Sequence, residues 1–496
     1  MSKFNKKSPG TKTVNLAGGS AYKMSEKFEL AALVLTSFVE DKYYESSKDT
    51  INRMVKLAEK TDPVFLGKLA VYARREAHMR SASHILLAEL ARLHKGQKDV
   101  LRAGFERPDD MCEVVAYYGN KYGKPLPNAL KKAIRENLRE LNAYQLGKYK
   151  GAGKDVKMID LFNLVHPAPK DEAQGTMWGE FLKGTLKAPE TWEVGVSAGK
   201  TEAERAGAFE KLIVENKMGY MALLKNLRNF SKYKLSNEVL QKVAETIQDP
   251  EKVAKSKQLP FRFLSAYKHA ENTVLKDAVS VAIDHAIGNL PKFEGQTVVV
   301  VDVSGSMRSR LSSESEMEYA DIARLFGCAM FKANPYNTMI IGFDHRPYRY
   351  NLSSRTPLID LYSAIPVTGG STELHTVFEA MANENIPADR IVILSDMQSY
   401  NGSSTSSFER YKQKTGFNPS IISIDLAGLG THQFPEDRIT FISGWSEKVF
   451  DVIKMLEGGK DQFIKMIESY EIPTKGYLRP NSDSPREEEN SSGESE

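Results

Sequence analysis

Residues 298–310 read VVVVDVSGSMRSR. Asp302 ends a β-branched apolar run, and Ser304 and Ser306 stand at alternate positions after it. A buried strand that ends on a carboxylate delivers that group to the carboxyl edge of a sheet, where open α/β sheets bind their ligands. Alternate spacing lets both hydroxyls point into one cup, and Gly305 permits the tight turn between them. Two further stretches are expected at the same edge: Thr368-Gly369-Gly370-Ser371-Thr372, opening a helix, and Ser395-Asp396, closing RIVIL. The inventory is two carboxylates and several hydroxyls, with no Cys or His. Hard oxygen donors of this kind favour Mg2+, with Mn2+ as the second fit, over zinc. The competing reading is a Ser- and Asp-rich helix start that needs no metal. No nucleophile–base pair accompanies the set. His345, in FDHRP, is the only His close in sequence to the strand edges, so the expectation is a binding site and no enzyme.

The elements that must position this cup begin at Pro291. TVVVVDV has the unbroken β-branched character of a strand covered on both faces. A helix (EYADIARLFGCAMFKA), a strand (TMIIGF), a helix (ELHTVFEAMANE), a strand (RIVILSD), a helix near SSFERYKQK, a strand (SIISIDLA) and a helical region over 446–470 follow. This alternation predicts a doubly wound, mostly parallel α/β sheet of Rossmann-like type. Before it, from 26 to about 285, apolar residues recur at three- and four-residue spacing, as in DTINRMVKLAEK, SASHILLAELARLH and NALKKAIRENLRELN. Helices of 12–16 residues with Pro, Gly or Asp at the breaks predict hairpins stacked as an α-solenoid. Residues 167–205 are richer in Gly and Pro and are expected to form a long excursion. The organisation is therefore a flexible lead-in over 1–25, a helical domain over 26–290, a doubly wound domain over 291–472, and a disordered acidic tail over 473–496.

With 496 residues and 41% hydrophobic content the chain suits two or three globular domains, and no apolar run is long enough to span a bilayer. Cys112 and Cys328 are the only cysteines, which excludes a disulfide framework and suits a cytoplasmic location. The net charge of +4 conceals a division. Residues 1–290 hold 48 Lys and Arg against 35 Asp and Glu, while residues 291–480 hold 19 against 23, and 481–496 one against six. A basic first half predicts a polyanionic partner. Its charge clusters at Arg74, Arg75 and Arg80; at Lys131, Lys132 and Arg135, with Arg139 continuing the stripe at helical spacing; at Lys148 and Lys150 with Tyr149 between them; and at Lys225 and Arg228. Lys and Arg on phosphates release counterions, and tyrosines beside them can stack on unpaired bases. A solvated helix face is the alternative for any one cluster. GAGK at 151–154 is no phosphate loop, since no Ser or Thr follows the Lys.

DVSGSM, then a Thr in a Gly-rich loop, then an Asp closing a later strand, resembles the metal-ion-dependent adhesion site (MIDAS) of von Willebrand factor A domains. The resemblance implies direct ligation by Ser304 and Ser306, Thr372 as third hydroxyl, and contact through water for Asp302 and Asp396. Ser371 competes with Thr372, because the loop reads GGST. Asp396 stands in SDMQ where the family has TDG. Together with NLAGGSAY (15–22), ALKKAI (129–134), KYKGAGKDVKMIDLFNLVHPAP (148–169) and MALLKNLRNF (221–230), the whole resembles the TROVE-domain proteins, the Ro autoantigens and their bacterial relatives. That resemblance implies a closed monomeric ring of HEAT-like helical repeats, which holds small noncoding Y-type RNA outside and threads single-stranded ends of misfolded RNA. It also implies work beside an exoribonuclease such as polynucleotide phosphorylase, and it adds His166 to the RNA-contacting region. A peptide-docking scaffold that uses the metal site is the alternative function.

Overall fold

The computed structural model describes residues 11–14, 20–23, 26–36, 48–151, 153–187, 196, 199–310, 317–397, 404–427, 439–443, 449–456 and 460–473. The acidic tail expected from 473 onward lies outside them except for its first residue.

The expected lead-in contains a short antiparallel pair, β1 (Thr11–Val14) with β2 (Ser20–Lys23), in the register Thr11 to Lys23 and Val14 to Ser20. Thr11, Thr13 and Val14 are β-branched, which favours that extended pairing. From Glu26–Thr36 to Thr273–Ala286 the described residues outside the turns are helical. Helices pack against those one or two further along: Pro63–Arg75 on Arg80–Leu93, Arg80–Leu93 on Pro108–Tyr122, Lys98–Gly104 on Asn128–Leu138, and Asn128–Leu138 on Met158–Val165. This is the local stacking of a helical solenoid. The expected excursion over 167–205 departs from the sequence reading, because it holds the helix Glu172–Lys183. Asp171 caps that helix by accepting from Gln174 N, and Gly184 ends it at φ +76°, a left-handed position that suits Gly. Trp178 and Phe181 anchor it on Phe162, with centroids at 5.1 and 5.5 Å.

The second domain is a six-stranded sheet in the order β5 (Pro347–Arg349), β4 (Thr338–Phe343), β3 (Thr297–Asp302), β6 (Arg390–Ser395), β7 (Ser420–Asp425), β8 (Ile439–Ser443). All neighbours are parallel except β4 with β5. The strand reading did not include β5, a three-residue hairpin return, or β8. Every residue of β3 is buried. Val299 and Val301 face the helix Tyr319–Ala333, where Gly327 allows close approach: a Cβ there would lie 3.0 Å from a Val301 methyl. Val298 and Val300 face the opposite core around Val377, Phe378 and Phe408. The sequence strand has its two covered faces, and the order reverses at β3, so the crevice between β3 and β6 is the switch point.

The sheet domain touches both ends of the helical array. On one side the helix Lys460–Ser469 lies on Glu26–Thr36 and Pro63–Arg75, with Phe28 edge-on to Phe463 and Tyr72 edge-on to Tyr470. On the other, Lys268 bonds the buried Asp321 at 2.5 Å and Lys332 pairs with Asp284. Among the described residues no helix is long and apolar enough to cross a membrane. Cys112 and Cys328 are free and buried, and burial pushes the Cys328 thiol up to about 12.

Candidate metal centre and nucleic-acid interface

The cup begins with Asp302, fully buried at the carboxyl end of β3. Its Oδ1 accepts from Ser304 N at 2.9 Å and its Oδ2 from the Ser395 hydroxyl at 2.6 Å. Ser304 Oγ and Ser306 Oγ lie 3.3 Å apart, so the alternate spacing does bring both hydroxyls together. Ser304 is buried and Ser306 exposed, which makes a closed floor and an open rim. Burial, with Asp396 adding like charge, pushes the Asp302 carboxyl up to about 7 against the pull of the Ser304 and Ser395 hydrogen bonds. A cation in the cup would offset both penalties.

The Thr368–Thr372 loop lies against this floor. Gly305 N donates to Gly370 O at 3.2 Å, and Thr368 N and Gly369 N donate to Val303 O at 3.0 and 3.2 Å. Of the two competing hydroxyls, Thr372 is buried, whereas Ser371 is exposed and donates to Glu373 Oε1 at 3.3 Å. That arrangement favours Thr372 as the inward donor. Asp396 is buried beyond β6, and Met397 takes φ +58°, the left-handed conformation for which the family's usual Gly is suited. The turn survives the SDMQ departure because Met397 is buried and its N–H donates to Ser395 Oγ at 3.0 Å. The donor set is all hard oxygen, and no group of three or more His, Cys, Asp or Glu among the described residues could hold a metal. Asp302, Ser304, Ser306, Thr372 and Asp396 fit Mg2+ or Mn2+ and not zinc. His345 is exposed and lies 2.9 Å from Asp344 Oδ1 through its Nδ1.

The basic clusters divide. Of the first cluster, Arg74 is turned inward, while Arg75 and Arg80 are half-buried and partly engaged by the protein itself. Arg74 is 4% exposed; it pairs with Glu106 and reaches Asp110 at 2.9 Å. Arg75 donates to Ala103 O at 2.6 Å, and Arg80 pairs with Asp109 at 2.6 Å and Asp110 at 3.2 Å. The acids they serve open the helix Pro108–Tyr122, whose N-terminus favours negative charge. Burial pushes the Asp110 carboxyl up. The His84 hydrogen bond at 2.9 Å and the charges of His84, Arg74 and Arg80 together hold it well below the usual range.

The remaining cations are spread over several helices. Lys131, Lys132 and Arg135 lie on Asn128–Leu138, with Lys132 and Arg135 exposed and Lys131 half-buried. Arg135 Nε donates to Val165 O at 3.0 Å, beside His166. His166 ends Met158–Val165 in a left-handed conformation at φ +45° and is itself exposed. Arg139 is the C-cap of Asn128–Leu138 with φ −70° and ψ −16°, still helical, so it continues the stripe by one more turn. Lys148 stands over the Tyr144 and Tyr149 rings at 5.8 and 5.9 Å, and Arg107 also covers Tyr149 at 5.2 Å, so that ring already holds cations. Lys150 is half-buried in the following turn. Lys225 and Arg228 stand exposed on Tyr220–Lys225 and Leu227–Lys232, in a different part of the array that packs on Pro260–His269.

Sequence reading overlooked Asp344, a carboxylate one residue past β4, although FDH at the end of TMIIGF was a visible signal. It also gave Ser395 no role, although this residue holds Asp302 directly.

A helical solenoid joined to a doubly wound sheet with an oxygen-lined cup at its switch point defines a helical-repeat protein that carries an A-type domain. Comparison with known families narrows this class. A TROVE domain family model matches residues 31–184 and 178–297, and a Ro60 vWA domain model matches 296–456. The chain belongs to the TROVE-domain family, with a C-terminal von Willebrand factor A domain of the Ro60 type. It is similar to Telomerase protein component 1 of Rattus norvegicus, 23% identical over 314 residues, which is 45% of this chain and 12% of that protein. With the Mus musculus protein of the same name the identity is 34% over 110 residues, 22% of this chain and 4% of that one. The chain thus spans a small part of those relatives. The crystal structure of the Ro (RSR) protein of Deinococcus radiodurans superposes with a TM-score of 0.62 at 17% identity, covering 88% of this chain and 100% of that one. That likeness concerns the fold.

Proposed function

We propose that this chain is a non-enzymatic, RNA-binding component of a ribonucleoprotein. It holds RNA on its helical domain and a divalent cation, Mg2+ by preference, in its A domain. The observation that carries the reading is the bond from Arg135 to Val165 O, which sets the helix bearing Lys131 and Lys132 beside the one that ends at His166. That surface belongs to a half-chain with a surplus of positive charge and to a family of RNA-binding proteins. The finer reading is a small noncoding Y-type RNA and the single-stranded ends of misfolded RNA, bound in RNA quality control. An exoribonuclease of the polynucleotide phosphorylase kind would act beside it in the cytoplasm. Contacts of the A domain with both ends of the array support a closed monomeric ring. Ser304, Ser306 and Thr372 would hold the cation, which would supply a coordination position for an acidic ligand.

Filter binding of a stem-loop RNA with a single-stranded tail, at two salt concentrations, tests the reading. Binding at ~50 mM salt that weakens steeply by ~200 mM is expected. No binding at the lower salt removes the RNA reading. The alternative, a scaffold that docks an acidic peptide through the cation, is favoured by the exposed Ser306 at the rim. A pulldown that survives RNase and is lost in EDTA would select it.

A further inference from the structure

We infer that Asp344 is a positioning residue for the cation site, holding both ends of the hydroxyl loop although it is no ligand itself. This rests on the reading of the cup as a Mg2+ or Mn2+ site. Asp344 follows β4 and is 1% exposed. Its Oδ2 accepts from the Thr368 hydroxyl at 2.7 Å, and its carbonyl accepts from Glu373 N at 2.8 Å. Thr368 opens the loop and Glu373 follows Thr372, so one residue ties the entry and the exit of the segment that presents Thr372. The loop's centre is fitted to the same residue. A Cβ at Gly370 would lie 2.5 Å from Asp344 Oδ2 and 2.6 Å from His345 Nδ1. No side chain is admitted there, and the loop backbone rests directly on the Asp344–His345 pair.

Asp344 is itself held. Its Oδ1 accepts from Arg346 N at 3.1 Å, and the Tyr348 hydroxyl reaches both carboxylate oxygens at 3.0 and 3.1 Å. Burial pushes its carboxyl up, but the Thr368, Arg346 and Tyr348 hydrogen bonds and the His345 charge outweigh that and keep it ionised below the usual range. A fixed acceptor on a strand end transmits the rigidity of the sheet to a surface loop. Groups that orient metal ligands in this way carry roughly 10- to 100-fold of metal affinity.

The test uses Thr368, which is exposed, so its replacement leaves the core intact. Thr368→Val removes, at constant shape, the hydroxyl that reaches Asp344 Oδ2 at 2.7 Å and Val303 O at 3.2 Å, and Thr368→Ser restores it. Mn2+ binding to the full chain is measured by titration calorimetry or by the free-ion paramagnetic signal, beside melting curves in EDTA. Roughly 10-fold weaker Mn2+ binding is expected for Thr368→Val, with affinity retained by Thr368→Ser and metal-free melting unchanged for both. Wild-type Mn2+ affinity in Thr368→Val overturns the inference and leaves the cation site standing. Equal weakening in both variants, or a fall in metal-free melting that accounts for the loss, also overturns it. A wild-type chain that takes up no Mn2+ overturns the site and the positioning role together.

Discussion

Arg74 separates the two ways of reading the basic half, because its sequence context suggests an RNA contact and its surroundings make it a buried partner. Arg74→Met keeps much of the aliphatic stem and removes the charge. Asp110, with no exposed surface, then loses one cation and keeps His84, Arg80 and the backbone N–H groups of Glu106 and Arg107. Glu106, 4% exposed, loses its pair with Arg74. Removing one partner of a buried ion pair costs about 3–5 kcal/mol. In a domain of this size each kcal/mol moves the melting midpoint by about 2–4 °C. The expected fall is therefore roughly 6–20 °C, read by circular dichroism at pH 7. The pH dependence has a definite sign. Asp110 is depressed in the folded chain, so its stabilisation is complete above the unfolded value near ~3.9 and is lost as pH falls toward the folded one. The gap between wild type and Arg74→Met should be full at pH 7 and should narrow below about pH 4. A variant that melts within ~2 °C of wild type, yet loses RNA affinity, refutes the burial argument and restores Arg74 to the RNA surface.

Other perturbations follow from the same geometry. Lys131→Gln with Arg135→Gln should lower stability by no more than the lost Arg135–Val165 O bond, about 1 kcal/mol, and reduce the slope of log affinity against log salt by roughly 0.7 per lost phosphate contact on single-stranded RNA, measured by filter binding. His166→Ala should weaken RNA binding without changing that slope if the ring contacts a base, and unchanged affinity would reduce His166 to a helix terminator. Ser306→Ala should abolish measurable Mn2+ uptake while RNA affinity stays at the wild-type value, since the cup and the Lys131–His166 surface lie in different domains; calorimetry and filter binding read the two separately.

The sheet domain was more legible than the helical one, for local reasons. Four valines before Asp302 can be satisfied only by apolar cover on both faces, and the DVSGS spacing carries its own geometry. Burial separates the two competing residues where spacing does not, with Thr372 buried and Ser371 exposed. Asp344 was missed because its importance comes from Thr368 and Glu373, which lie 24 and 29 residues further on. The burial of Arg74 was hidden for the same reason. A cluster of cations looks solvated until the acids at 106, 109 and 110 fold onto it, and a helical spacing rule does not reach across that separation. The helix Glu172–Lys183 was hidden by Gly175 and Gly179, which weaken the local helical signal, while Trp178 and Phe181 supply the tertiary anchor.

RNA binding by the helical half through its surface charge underlies the proposed function. The most direct measurement is the affinity of the full chain for a tailed stem-loop RNA across ~50 to ~200 mM salt, compared with the chain carrying Lys131→Gln, Lys132→Gln and Arg135→Gln together. Tight binding at the lower salt, a steep loss at the higher, and a slope shallower by roughly two units in the triple variant are expected. Binding that ignores salt, or a triple variant with the wild-type slope and affinity, would contradict it.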